Sequence, residues 1–154
     1  MAKITRWYFG PSGGSGGSIH IDPAKDLEKP VPKQFNVNSG WYIDRVEVRV
    51  ADIAKSKSHL YNSSFGGHGG TKVGFTLDDG EYITEMFGTY DKFLVTLGIR
   101  TSKSKKKEWG GDNGQGRAEF KYTVPSGYYI CEFFGRSGAL VDAIGIGIAS
   151  ISEL

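Results

Sequence analysis

The sequence predicts an all-β chain built on a threefold internal repeat, and three observations carry that expectation. Two ten-residue stretches, Ser39 to Val48 and Ser137 to Ile146, stand 98 positions apart and share one pattern: a Gly four residues ahead of an Asp, opening onto an alternating apolar strand. Three glycine-paired loops recur at intervals of 53 and 44 residues: Gly13-Gly14-Ser15-Gly16-Gly17, Gly66-Gly67-His68-Gly69-Gly70 and Gly110-Gly111-Asp112-Asn113-Gly114. Gly supplies 23 of the 154 residues against 5 for Pro, and the glycines fall between alternating apolar runs, a composition suited to many short strands joined by tight turns.

The elements follow in chain order. Pro23 to Pro32 is polar and carries three prolines, so it reads as a surface loop. Trp41 to Val50 sets Ile43, Val46, Val48 and Val50 against Asp44, Arg45, Glu47 and Arg49, the period of a half-buried strand. Lys72 to Leu77, ended by Asp78-Asp79-Gly80, predicts a strand running into a turn, with Glu81 to Phe87 as its return arm. Phe93 to Arg100, Arg117 to Thr123, Tyr128 to Phe134 and Leu140 to Ile151 complete the strands, and no stretch sustains a helical period. Ser102 to Lys107, with four lysines in six residues, reads as a solvated hairpin tip.

Bulk properties bound the function. The length suits a single domain over residues 1–154, and 13% aromatic residues provide ample apolar surface to bury. A net charge of +2 argues for neither nucleic acid nor an anionic membrane. Cys131 is alone and forms no internal disulfide, Met1 to Trp7 contains no apolar run resembling a signal peptide, and no apolar segment has membrane length. The expectation is a soluble, cytoplasmic chain, with secretion left open.

The recurring Gly-x-x-x-Asp has a definite chemistry. Glycine allows turns closed to other residues, so neighbouring N–H groups point outward together, and the Asp carboxylate accepts hydrogen bonds through both oxygens. Donors and acceptors fixed in one cup match vicinal sugar hydroxyls, and a facing Gly-Gly loop leaves room for a pyranose ring. A single such Asp more often only caps its own turn. Recurrence of both loops in an all-strand chain favours the cup.

Two segments, Phe9-Gly10-Pro11-Ser12-Gly13-Gly14-Ser15-Gly16-Gly17 and Phe134-Gly135-Arg136-Ser137-Gly138-Ala139-Leu140-Val141-Asp142-Ala143-Ile144-Gly145, resemble the signature segments of jacalin-related lectins, and the resemblance spans nearly the whole chain. It implies a β-prism I fold of three Greek-key four-stranded sheets with pseudo-threefold symmetry. It also implies a first monosaccharide site made by Gly14, Gly138, the Ala139 and Leu140 N–H groups and the Asp142 carboxylate. Banana-type members carry a second site. Here its pieces are Gly40, Trp41, Tyr42 and Asp44, facing Gly67 and His68, with Trp41 either an aromatic wall or an inward-facing strand residue.

In the third repeat Asp91 comes one position early after Gly88, Lys92 stands four residues on from that Gly, and Asp112 and Asn113 enlarge the facing loop, so the two-site pattern is not repeated a third time. Galactose-specific members are cut near the start of the domain, whereas this chain runs through its first repeat. The resemblance therefore implies mannose or glucose recognition, with mannose- or glucose-containing glycans and glycoproteins as partners. Homodimers or higher homo-oligomers would add avidity.

Catalysis is not expected. His20, His59 and His68 show no metal-ligand spacing, no nucleophile elbow or phosphate loop occurs, and no metal or other cofactor is implied. Two rival readings remain: a prism that targets or connects proteins without binding sugar, and an anionic-polymer binder acting through Lys103, Lys105, Lys106 and Lys107.

Overall fold

The computed structural model describes residues 3–154; Met1 and Ala2, part of the stretch read above for a leader, lie outside it. Twelve strands form three four-stranded antiparallel sheets. In the second sheet β3 (Pro30–Ser39), β4 (Ile43–Asp52) and β5 (Ser56–Gly66) run consecutively, and β6 (Thr71–Thr76) returns to lie beside β3. That order is a Greek key. The third sheet repeats it with β7 (Ile83–Tyr90), β8 (Leu94–Thr101), β9 (Lys106–Gly110) and β10 (Ala118–Thr123), in the order β10-β7-β8-β9. The first sheet joins both ends of the chain: β11 (Tyr128–Ser137) and β12 (Val141–Ser150) sit between β2 (Ser18–His20) and β1 (Trp7–Gly13). The predicted β-prism with its pseudo-threefold repeat is the architecture observed.

The sheets turn their apolar faces toward one shared core. Phe35 lies 5.1 Å from Phe133 and 5.4 Å from Trp109, ring centre to ring centre, so one aromatic from each sheet meets there. Ile43, Leu94 and Val141, which open β4, β8 and β12, are fully buried. Each is worth about 1.5–3 kcal/mol by removal from water, which pins the preceding turn to the end of the prism.

Three expectations change. Pro23 to Pro32 is not a surface loop: Pro23–Asp26 forms a 3-10 turn over buried Ala24, and Pro30, Val31 and Pro32 are buried at the start of β3. The prolines are tolerated because β6 pairs with β3 only from Gln34 onward, which leaves that end of β3 with a neighbour on one side. Lys72 to Phe87 is not a hairpin either. β6 pairs with β3 while β7 pairs with β8 and β10, so Asp78-Asp79-Gly80 carries the chain from one sheet to the next. Strands β1, β2, β3, β5 and β9 are not among those the sequence predicts. β5 is a largely polar edge strand, and β9 takes two residues of the lysine-rich stretch before its buried Trp109.

Buried carboxylates below the strand-opening turns are held by the protein. Asp52 accepts from the N–H groups of Glu28, Lys29 and Ala54 at 3.1, 3.0 and 3.2 Å. Asp22 accepts from Ala24 and Phe133, both at 2.8 Å. Glu132 takes the Tyr8 hydroxyl at 3.0 Å and the Arg6 guanidinium at 3.2 Å.

Candidate functional site

At one end of the prism the three sheets close in the same turn. The N–H of Gly138 donates to Leu140 O at 3.0 Å, that of Gly40 to Tyr42 O at 3.1 Å, and that of Asp91 to Phe93 O at 3.0 Å. Each turn leads into a fully buried aliphatic residue and then to Asp142, Asp44 or Val95. This corrects the register of the third repeat. Asp91 stands where the other two have Gly138 and Gly40, and Val95, not Lys92, stands where they have the acid.

In the first cup the Gly-Gly loop docks by its backbone, with Gly14 N–H donating to Asp142 O at 2.8 Å. The Arg136 guanidinium, whose role the sequence did not reveal, donates to the carbonyls of Gly16 and Gly17 at 2.9 and 3.0 Å. The loop then stands flat against the carboxylate. A Cβ on Gly16 would lie 2.7 Å from Asp142 Oδ2 and one on Gly17 2.5 Å from Oδ1, and Gly17 has φ +69°, so only glycine fits there. Asp142 is only 4% exposed. Burial raises its pKa, the Arg136 charge and its own backbone N–H oppose that, and among the described residues no other residue donates a hydrogen bond to the carboxylate.

The second cup repeats this. Gly67 N–H donates to Asp44 O at 2.8 Å, and a Cβ on Gly69 or Gly70 would lie 2.7 or 2.6 Å from the Asp44 carboxylate oxygens. Burial alone raises the Asp44 pKa. Arg45 donates to Gly66 O at 3.1 Å, which steadies this loop from a different strand position. Trp41 is 62% exposed, which rules out the inward-facing alternative and leaves its ring at the rim. His68 is exposed on the facing loop, while Gly138 and Ala139 are exposed and Leu140 and Tyr42 half-buried on the turns.

One expectation about donors changes. The N–H groups of Gly14 and Gly67 are already bonded to Asp142 O and Asp44 O, so these residues close the cups and offer no N–H to a ligand. Among the described residues, the N–H groups of Ala139, Leu140, Trp41 and Tyr42 make no such bond and remain free to donate. The cups also brace one another. A Cβ on Gly14 would overlap the Lys92 carbonyl and one on Gly67 the Ala139 carbonyl, while Asp112 N–H donates to Gly40 O at 3.2 Å. Each glycine loop leans on the turn of a neighbouring repeat, and the three form one crown.

Residues 9–147 match the model of the jacalin-like lectin domain. The chain belongs to the jacalin-like lectin family. Horcolin from Hordeum vulgare is 35% identical over 147 residues, covering 91% of this chain and 94% of horcolin. Among solved structures, Malaysian banana lectin superposes with a TM-score of 0.78 at 25% identity, over 95% of this chain and 99% of that one. A mannose-binding jacalin-related lectin from Ananas comosus shares the fold with a TM-score of 0.77 at 22% identity, over 94% of this chain and 98% of that one. Like the rest of its family, this jacalin-like lectin is non-catalytic. No group of three or more metal-ligating side chains forms among its described residues, and none of its described helices is long and apolar enough to cross a membrane.

Proposed function

We propose that this jacalin-like lectin, a single domain, binds mannose- and glucose-type glycans through two cups. The first is Asp142 with the Ala139 and Leu140 N–H groups, set against the Gly14 to Gly17 loop. The second is Asp44 with Trp41 and Tyr42, set against Gly67 and His68. One observation carries this reading. Asp142 is buried and Asp44 half-buried, each beside a glycine loop, and among the described residues neither accepts from another residue, whereas Asp22 and Asp52 are engaged by backbone donors. A desolvated acceptor without a partner is costly to the fold, and ligand hydroxyls would satisfy it.

The mechanism is hydrogen bonding in a preformed cup. The carboxylate accepts from two adjacent hydroxyls while the free N–H groups donate to the same oxygens. Each cup is shallow, so affinity for a monosaccharide is roughly millimolar, and avidity comes from two cups per chain and from paired chains. Exposed Trp7, Tyr8 and Phe9 along edge strand β1 support such pairing. The anionic-polymer reading is less well supported, since Lys103 and Lys105 already contact Asp78 Oδ2 at 3.3 and 2.9 Å.

Calorimetric titration tests the proposal. Methyl mannoside is expected to bind at close to two equivalents per chain. Galactose inverts the 4-hydroxyl that mannose and glucose share and leaves a buried group unmet, which at about 1–3 kcal/mol predicts a roughly 5- to 150-fold preference for mannose. Equal or tighter binding of galactose overturns the specificity, and no heat with either sugar overturns the function.

A further inference from the structure

The third corner of the crown keeps the frame of the other two and reverses its charge. Its turn has the same hydrogen bond, from Asp91 N–H to Phe93 O, and Lys92 takes the place of Ala139 and Trp41. Val95 replaces the acid. The strand registers Ser137 with Ser18, Ser39 with Thr71 and Tyr90 with Ala118 place Arg117 where the other cups have Gly17 and Gly70, the glycines that face the carboxylate. An anion has been lost and a guanidinium gained within one cup.

A cavity of about 510 Å³ opens at this corner, lined by Tyr42, Tyr90, Phe93, Asp91, Lys92 and Arg117. Tyr42 and Phe93 meet edge to face at 5.7 Å, and Asp91 Oδ1 accepts the Arg117 backbone N–H at 2.8 Å, which fixes the position from which the guanidinium projects. Lys92 and Arg117 are exposed and pair with no carboxylate among the described residues.

We infer that this corner binds a carboxylate-bearing pyranose, the uronic or sialic acid residue of an acidic glycan, with Arg117 and Lys92 on the carboxylate and the aromatic rings against the sugar's apolar face. A guanidinium fork matches a carboxylate in two parallel hydrogen bonds, and aromatic faces suit the C–H surface of a pyranose. Two cations against Asp91 leave one net positive charge, which fits a monoanion better than a phosphate dianion. Asp91 also offers an acceptor for a hydroxyl. The inference rests on the reading of the two acid-bearing cups as sugar sites.

Amide spectra of the full chain, titrated separately with methyl glucuronide, sialic acid, methyl glucoside and inorganic phosphate, test it. Either acidic sugar should move the Lys92, Phe93 and Arg117 signals at low salt, with affinity falling as salt is raised, while methyl glucoside and phosphate leave those signals in place. Arg117→Gln should weaken the response roughly tenfold, the scale of one charge-assisted hydrogen bond, and Lys92→Gln should weaken it less. Methyl mannoside shifts at Asp142 and Asp44 report that each variant is folded. Equal movement with the glucoside or with phosphate, or an Arg117→Gln response like the parent's, overturns the inference. If methyl mannoside binds at its two cups and neither acid moves the third corner, only this inference falls; if methyl mannoside also moves nothing, the two-cup reading falls with it.

Discussion

Asp142 and Asp52 are both almost fully withdrawn from water, 4% and 1% exposed, yet they face opposite demands. Asp52 sits at the end of β4 away from the crown and gathers three backbone N–H groups from the chain on either side of it. Asp142 sits at the crown with a loop of glycines laid against it and, among the described residues, no donor from another residue. Burial therefore does not separate a structural acid from a binding one. What separates them is whether the fold supplies donors or withholds them, and in the proposed cups withholding them gives up stability in exchange for binding.

The largest effect should come from breaking the engaged acid. Asp52→Ala leaves three backbone donors without their acceptor and should cost about 3 kcal/mol of stability, allowing for partial rehydration, as read by chemical denaturation. The folded fraction should bind methyl mannoside as before. Asp142→Asn should do the reverse. It should weaken mannoside binding by about 2 kcal/mol, since a charge-assisted acceptor is lost, while the thermal midpoint holds or rises. A fall in midpoint comparable to that of Asp52→Ala would erase the contrast.

pH sharpens the same comparison. The folded-state pKa values of Asp142 and Asp44 are raised above the usual 3.8 by burial. An acid with a raised folded pKa favours the fold below its unfolded pKa, and that contribution is lost as pH rises through the folded value, so at neutral pH the ionised crown acids weigh against stability. In the proposed cups the sugar needs the ionised form. Mannoside affinity measured calorimetrically from about pH 7 to about pH 4 should therefore fall at a higher pH than for an ordinary aspartate. An affinity flat across that range would show that the carboxylates are not the acceptors.

The smallest effect separates the two cups. Asp44→Ala should lower the mannoside stoichiometry from two toward one while leaving the affinity of the remaining cup within about twofold, because distant sites act additively. A parent stoichiometry of one would remove the second cup.

Much of this was legible because the repeat is written in local chemistry. Paired glycines and an Asp four residues past a Gly recur wherever the same turn recurs, and alternation marked most of the central strands. Spacing counted from Gly88 misregisters the third corner, because the turn itself begins at Asp91; the hydrogen bond from Asp91 N–H to Phe93 O, which no spacing reveals, sets the register. β5 stayed hidden because an edge strand needs few buried residues, and Pro30 and Pro32 disguised the start of β3 because only one neighbour pairs there.

The sequence by itself determined the all-β class, the threefold repeat and the two acids of the crown, since turn conformation and strand alternation depend on residues close together in the chain. The tertiary structure alone decided that, among the described residues, no other residue donates to Asp142 or Asp44 while Asp22 and Asp52 have donors, that Gly14 and Gly67 spend their N–H groups closing the cups, and that Arg117 fills the place of a glycine at the third corner. Those facts depend on which backbone donors and side chains from distant segments converge on one point. Hydrogen bonds between residues such as Asp22 and Phe133 leave no periodic trace in the chain.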